Sequence, residues 1–371
     1  MSNRFSPASD AGRQPGDSEI SVVFRGDGEP KTPEKLLRRL AEFDAEVGLE
    51  PDSFSRGGTV DMLEQRFAEM LGKEAAIFMP TGTLANHLAI RKHCGLRPRA
   101  VVQEQSHLYN DTGDCLTRLS GINLIPLAKG RPYFTLDELK DVVTQSKTGR
   151  VENSIGAIIV ESPVRRQAGQ VVPFEVMKRI TSFSREEGIP IHLDGARLYM
   201  MAAATGIKLQ QYTKLFDTVY VSLYKYFGAP FGAMLSGTTE FIGDLYHARR
   251  MFGGGLSSAF FAAALALKGC DGFEERFSTA MKKAAGLFAR INTLEGIDIG
   301  QYENGSNIFP VKLSSNVDTE RFISALREHW VFVYPDESGS GRLHLTVNTT
   351  ILRQSNDDLF TAFKNALSKS R

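Results

Sequence analysis

Two short apolar runs, each closed by one charged residue, restrict the fold more than any other part of the chain. The run Ile189-Pro-Ile-His-Leu-Asp ends at Asp194, and an apolar, β-branched and aromatic run over residues 218–223 leads to Lys225. Runs of this length and composition read as buried strands. Beyond Lys225, Gly228, Pro230 and Gly232 force a turn, and a second apolar piece resumes over residues 233–235. About 30 residues separate Asp194 from Lys225, the length of a strand, a helix and a second strand. In open parallel sheets the carboxyl ends of the strands line the ligand crevice, so both charges are expected there.

A lysine at the end of a buried strand loses hydration, which disfavours its charged form. A neutral amine attacks a carbonyl to give a Schiff base. Taken alone, Lys225 reads first as a strand cap reaching solvent, and Asp194 as an ordinary helix N-cap. As a pair they match the demands of pyridoxal phosphate. The lysine would hold the aldehyde, and the aspartate would pair with the ring nitrogen so that the ring stays an electron sink.

The length of 371 residues allows a large core and two or three domains. The 44 basic and 43 acidic side chains nearly cancel, which points away from nucleic acid and from anionic membranes as partners. No apolar run approaches a membrane span, and the N-terminus has no apolar segment of a secretory signal. Cys94, Cys115 and Cys270 are widely spaced, which fits a reducing cytoplasm and no metal site.

Residues 1–18 are polar and aperiodic and read as a disordered tail. Helix starts are expected at Pro33, capped by Thr32, and at Thr59, with Gly72 as a stop. Residues 75–79 read as a strand, followed by Pro80-Thr-Gly-Thr-Leu-Ala-Asn opening a helix. Free backbone N–H groups at such a start form an anion cradle, with Gly82 allowing close approach and Thr81 and Thr83 offering hydroxyls. Further strands are expected over 100–103, 119–127 and 154–161, the last ending in Glu161, with helices over 136–143 and 174–187. This alternation over residues 75–237 defines an α/β fold with a mainly parallel sheet. Gly253-Gly-Gly suggests a loop packed tightly against something, a second subunit among the options. Residues 308–366 alternate strands and helices as a small α+β domain. The expected division is a tail (1–18), a large cofactor-binding domain with an N-terminal arm (19–270) and a small C-terminal domain (271–371).

Set end to end, these segments resemble the threonine aldolase and beta-eliminating lyase family, pyridoxal-phosphate enzymes of fold type I. The resemblance rests on Phe24-Arg-Gly-Asp-Gly, Lys31-Thr-Pro, Leu71-Gly-Lys-Glu-Ala-Ala-Ile-Phe-Met-Pro-Thr-Gly-Thr-Leu-Ala-Asn and Gln105-Ser-His. It continues through His192-Leu-Asp-Gly-Ala-Arg-Leu, Ser222-Leu-Tyr-Lys-Tyr-Phe-Gly-Ala-Pro-Phe-Gly and the glycine segment 249–256. It implies a seven-stranded-type sheet in the large domain. It also implies roles. Lys225 would carry the cofactor, Asp194 would bind the pyridine nitrogen, and Gly82 and Thr83 would hold the phosphate. His107 would stack on the ring and take part in proton transfer. Arg197 would bind near the cofactor and reach the substrate carboxylate, and Arg342 would clamp that carboxylate, where a bidentate fork suits arginine.

The reaction so implied is cleavage of the Cα–Cβ bond of a β-hydroxy-α-amino acid to glycine and an aldehyde, by a cytoplasmic homodimer or homotetramer. The chain departs from the family where the hydroxyl is handled. Val164 stands in the place of a histidine, Phe54 in that of a tyrosine, and Ser257-Ser258 replaces a basic–polar pair. The base is therefore left between His107 and water. Racemisation, β-elimination, transaldolation and cofactor binding without turnover remain as alternatives.

Overall fold

The computed structural model describes residues 14, 18–151, 153–335 and 342–371. The expected tail thus lies almost wholly outside the described residues. The chain divides into two units. One comprises residues 31–278 and 301–308, the other residues 1–30, 279–300 and 309–371. This differs from the boundary expected at 270, and the N-terminal arm is counted with the smaller unit up to Pro30. The reason is pairing: Val22–Val23 lies parallel to Val331–Phe332, with Val22 opposite Val331.

The larger unit is built on seven strands: β1 (Ala75–Met79), β2 (Arg99–Gln103), β3 (Asn123–Leu127), β4 (Ala157–Glu161), β5 (Ile191–Asp194), β6 (Thr218–Ser222) and β7 (Ala233–Gly237). Their order is β1-β7-β6-β5-β4-β2-β3. Strands β6, β5, β4, β2 and β3 pair in parallel. β7 pairs antiparallel with both β6 and β1, so β1 points the same way as the other five. All but β7 therefore carry their carboxyl ends to one end of the sheet. β4, β5 and β6 are buried at every position, as expected of strands covered on both faces.

Local chemistry sets the helices around this sheet. In α1 (Pro33–Glu46) the Thr32 hydroxyl accepts from the Lys35 N–H, and Pro33 sits where its missing N–H costs nothing. α2 (Gly58–Leu71) ends at Gly72 in the left-handed region. α3 (Gly82–Cys94) is capped by the Thr81 hydroxyl, which accepts from the Leu84 N–H. The region 119–127 holds a strand as expected, over residues 123–127, which pair with β2; the short helix Cys115–Ser120, closed by Gly121, precedes it.

Residues 301–308 return to the larger unit. The Val171 N–H donates to the Asn304 carbonyl (2.7 Å), and the Ser306 hydroxyl donates to the Gly169 carbonyl (2.6 Å). The smaller unit has a four-stranded sheet in the order Tyr334–Pro335, Leu343–Thr346, Ile308–Leu313, Ile297–Ile299. Helices Thr319–Arg327 and Asn356–Lys369 pack on each other, and Phe24, Leu287, Phe322, Leu345 and Phe363 are buried in one cluster. No helix among the described residues is long and apolar enough to cross a membrane.

Candidate active site

Asp194 is the last residue of β5, and its register partners are Glu161 at the end of β4 and Tyr220 within β6. The Asp194 carboxylate is buried and accepts from the Asn86 side-chain amide (2.7 Å) and the Ala196 N–H (3.2 Å). Both donors are neutral. Lys225 lies three residues beyond the end of β6, in the turn that leads to β7. Its ammonium is 6.0 Å from the centroid of the Tyr224 ring. Lys31 fastens that turn from outside, donating to the carbonyls of Tyr224 (2.7 Å) and Ala229 (3.2 Å). Burial lowers the pKa of Lys31 below the usual lysine value.

Gly82 opens α3 directly over β6. A Cβ at this position would overlap the Tyr220 phenol, so only glycine lets the helix start come this close. Thr83 follows it in the first turn. Tyr220 is itself buried. Burial, and then the Asp194 charge, push its hydroxyl well above the ordinary tyrosine value.

His107 opens the short helix His107–Asn110, which follows β2. Its backbone N–H donates to the Glu161 carboxyl (2.5 Å), whose other oxygen accepts from the Arg165 N–H (3.0 Å). Burial first, and then the Asp194 charge, push Glu161 up to about 7 against these bonds. The His107 ring nitrogen Nδ1 lies 3.3 Å from Asp111, which is held in turn by the Arg166 guanidinium at 2.6 Å. The Arg166 contact keeps the Asp111 carboxyl below its ordinary range. Val164, in the loop carrying Arg165 and Arg166, is fully buried, and its N–H donates to the Gln170 carbonyl (2.9 Å). Arg197 precedes helix Leu198–Thr205, and its charge opposes the rise at both Glu161 and Tyr220.

Asp194 ends a strand, and Gly82, Thr83, His107, Arg197 and Lys225 follow carboxyl ends of strands in the same sheet. Arg342 belongs to the smaller unit, immediately before the strand Leu343–Thr346. The glycine segment packs on its own chain: a Cβ at Gly254 would lie 2.5 Å from Leu84 and 2.9 Å from Arg249. Arg249 is buried and donates to the carbonyls of Phe78 (2.6 Å) and Ser55 (2.8 Å). Among the described residues no group of three or more His, Cys, Asp or Glu side chains could hold a metal ion.

Sequence reasoning gave no role to Asn86, Lys31, Asp111 or Arg249. Asn86 had a usable signal, since it stands one helical turn after Gly82 and so shares its face. For Lys31 and Arg249 the partners are backbone carbonyls distant in sequence, and no local pattern marks them.

The sequence pattern of the beta-eliminating lyase family matches residues 33–313. The chain belongs to this family. It is 34% identical over 208 residues to the low specificity L-threonine aldolase of Saccharomyces cerevisiae, covering 55% of this chain and 53% of that protein. The chain thus spans about half the length of the yeast relative it matches. Over 354 residues it is 25% identical to the low-specificity L-threonine aldolase 1 of Arabidopsis thaliana, covering 94% of this chain and 96% of the relative. Among solved structures, one from Listeria monocytogenes, provisionally described as an L-allo-threonine aldolase, superposes with a TM-score of 0.78 at 25% identity, covering 94% and 96% of the two chains. The threonine aldolase of Leishmania major gives a TM-score of 0.70 at 16% identity, covering 93% and 98%. The fold of this beta-eliminating lyase family member is that of the pyridoxal-phosphate-dependent enzymes of fold type I.

Proposed function

We propose that this chain is a pyridoxal-phosphate-dependent lyase that cleaves the Cα–Cβ bond of a β-hydroxy-α-amino acid, releasing glycine and an aldehyde. One observation carries the reading. A buried carboxylate, Asp194, ends the strand beside the one that leads to Lys225, and a helix start free of side chain at Gly82 lies over the same strand. The names of the yeast and Arabidopsis relatives support the choice of reaction.

The residues present fit the cofactor. The cradle at Gly82 is closed to any Cβ by Tyr220, and the backbone N–H groups opening α3 suit a phosphate dianion. The Asp194 carboxylate, already bonded to two neutral donors, suits a protonated ring nitrogen. Lys225 would hold the aldehyde. When bound, pyridoxal phosphate supplies a sink for the electron pair left at Cα.

The chain supplies position and proton handling. Arg197 would bind the substrate carboxylate, fixing the amino acid away from the reacting bond. His107 would take the β-hydroxyl proton on its Nε2, with Nδ1 held by Asp111. A buried apolar Val164 provides no proton acceptor on the neighbouring loop. The three free cysteines fit a cytoplasmic protein, and a homodimer or homotetramer is proposed with it.

The test is an absorbance titration of the purified protein with a panel of amino acids, with aldehyde and glycine measured. Aldehyde and glycine in equal amounts, lost in Lys225→Ala, are expected. Deuterium at Cα of an intact carbon skeleton, in heavy water, would instead favour racemisation.

A further inference from the structure

Behind Asp194 runs a line of buried polar side chains that the reaction itself does not use. Asn86 Nδ2 lies 2.7 Å from Asp194 Oδ2, and Asn86 Oδ1 lies 2.9 Å from His192 Nε2. His192 Nδ1 lies 2.8 Å from Thr218 Oγ1, which lies 2.8 Å from His93 Nε2. Asn86, His192, Thr218 and Asp194 are all at most 2% exposed. His93 is half-buried, stacks on Phe241 and lines a cavity of about 420 Å³ with Asp217, Arg185 and Thr238, at the amino ends of the strands.

Regular geometry assembles this line. Asn86 and His93 are seven apart on α3 and share the face turned to the sheet. His192 and Asp194 are two apart on β5 and share a face, and Thr218 is the register partner of His192.

The chemistry of the five groups allows one direction of donation. A carboxylate only accepts, so Asn86 must turn its NH₂ to Asp194 and its oxygen to His192. His192 must then carry its proton on Nε2. Burial holds its pKa at about 3, so the ring is neutral and Nδ1 is a bare acceptor. The Thr218 hydroxyl must donate to Nδ1 and is left to accept from the His93 Nε2–H. Every link donates toward Asp194, and such bonds polarise one another.

We infer that His192 and Thr218 are positioning residues that lock the Asn86 amide with its NH₂ toward Asp194, fixing that carboxylate to receive a protonated nitrogen heterocycle. The inference rests on the cofactor reading of the site. No proton travels along the line. Its effect is orientation: a reversed His192 tautomer would turn Asn86 and bring its carbonyl oxygen against the carboxylate.

The experiment uses ¹⁵N-histidine-labelled protein without cofactor, and then its titration with pyridoxal phosphate. The His192 resonances should show a single Nε2–H tautomer that stays neutral down to about pH 5. Thr218→Val removes the hydroxyl and keeps the shape. It should give mixed tautomers and weaken cofactor binding by about tenfold, the scale of one hydrogen bond to a charged group. Thr218→Ser should restore both readouts, which a purely structural role for the threonine methyl would not. An Nδ1–H tautomer in the wild type overturns the inference, and this measurement needs no variant to fold. So does a folded Thr218→Val protein that binds the cofactor within about twofold of wild type. A wild-type chain that takes up no pyridoxal phosphate defeats the functional reading, and the tautomer still decides the orientation of Asn86.

Discussion

Glu161 and Asp194 stand opposite each other as register partners at the ends of two parallel strands, so two carboxyl groups share one buried corner. Close carboxylates disfavour the second ionisation, and here burial adds to that. The folded chain therefore keeps the Glu161 proton up to about 7, against an ordinary 4.5. Between those values the unfolded chain has released the proton and the folded one has not, so stability falls as pH rises. His93 and His192, lowered to about 4 and about 3, act in the opposite sense, and their contribution grows as pH rises toward 6.5. A comparison with Glu161→Gln isolates the carboxyl. In thermal melts of cofactor-free protein, the wild-type advantage in Tm over this variant should shrink as pH rises from 4.5 to about 7. A gap independent of pH would show that Glu161 ionises normally.

Gly82→Ala should cost about 1–3 kcal/mol, the usual scale of overpacking, because its methyl has to displace the Tyr220 ring. The same change at Gly243, where a Cβ meets nothing within 4 Å, should stay within about 0.5 kcal/mol. Denaturant unfolding of the two variants makes the comparison. Cofactor affinity should fall only for Gly82→Ala.

Asp111 holds His107 on one side and Arg166 on the other, all three partly exposed. Exposed ion pairs contribute about 0–1 kcal/mol, so Asp111→Asn should leave the melting temperature almost unchanged. If His107 handles the substrate proton, kcat should drop by about tenfold or more in this variant, within the range that a positioned base supplies. Steady-state rates beside a melting curve separate the two effects. Equal rates would place the proton acceptor elsewhere, with water the next candidate.

Lys31→Met keeps the apolar stem and removes the two bonds to the turn around Lys225. Loss of these bonds should cost about 1–3 kcal/mol and loosen the turn. Hydrogen exchange should quicken over residues 224–229 and remain unchanged in β5. Unchanged exchange in the turn would mean that Lys31 plays no part in holding it.

Much of this arrangement was legible in the chain. Asp194 and Lys225 announce themselves because a buried strand tolerates a charge only at its end, and Gly228, Pro230 and Gly232 mark where the strand stops. Thr32 and Gly72 mark helix ends by capping chemistry, and both do so in the structure, while the Thr81 hydroxyl, expected to face an anion, caps α3. Other features depend on partners far away in sequence. The pairing of Val22–Val23 with Val331–Phe332 leaves no local trace in the sequence. The helix Cys115–Ser120 is a single short turn set before a strand, too brief for periodicity to register. Thr218 reads as an ordinary β-branched strand residue, and only the register that sets it opposite His192 gives it a polar task. Within the triple glycine, Gly254 lies against Leu84 and Arg249 of the same chain, a proximity that local sequence does not mark.

The return of residues 301–308 to the larger unit has a consequence for synthesis. All seven strands of its sheet have been synthesised once Gly237 is made, yet the residues that give the loop after β4 its last contacts come more than 60 residues later. The Val171 N–H and the Gly169 carbonyl wait for Asn304 and Ser306. The loop that follows Glu161 therefore cannot complete its hydrogen bonding until residues 304–306 have been added, whatever the state of the sheet before them.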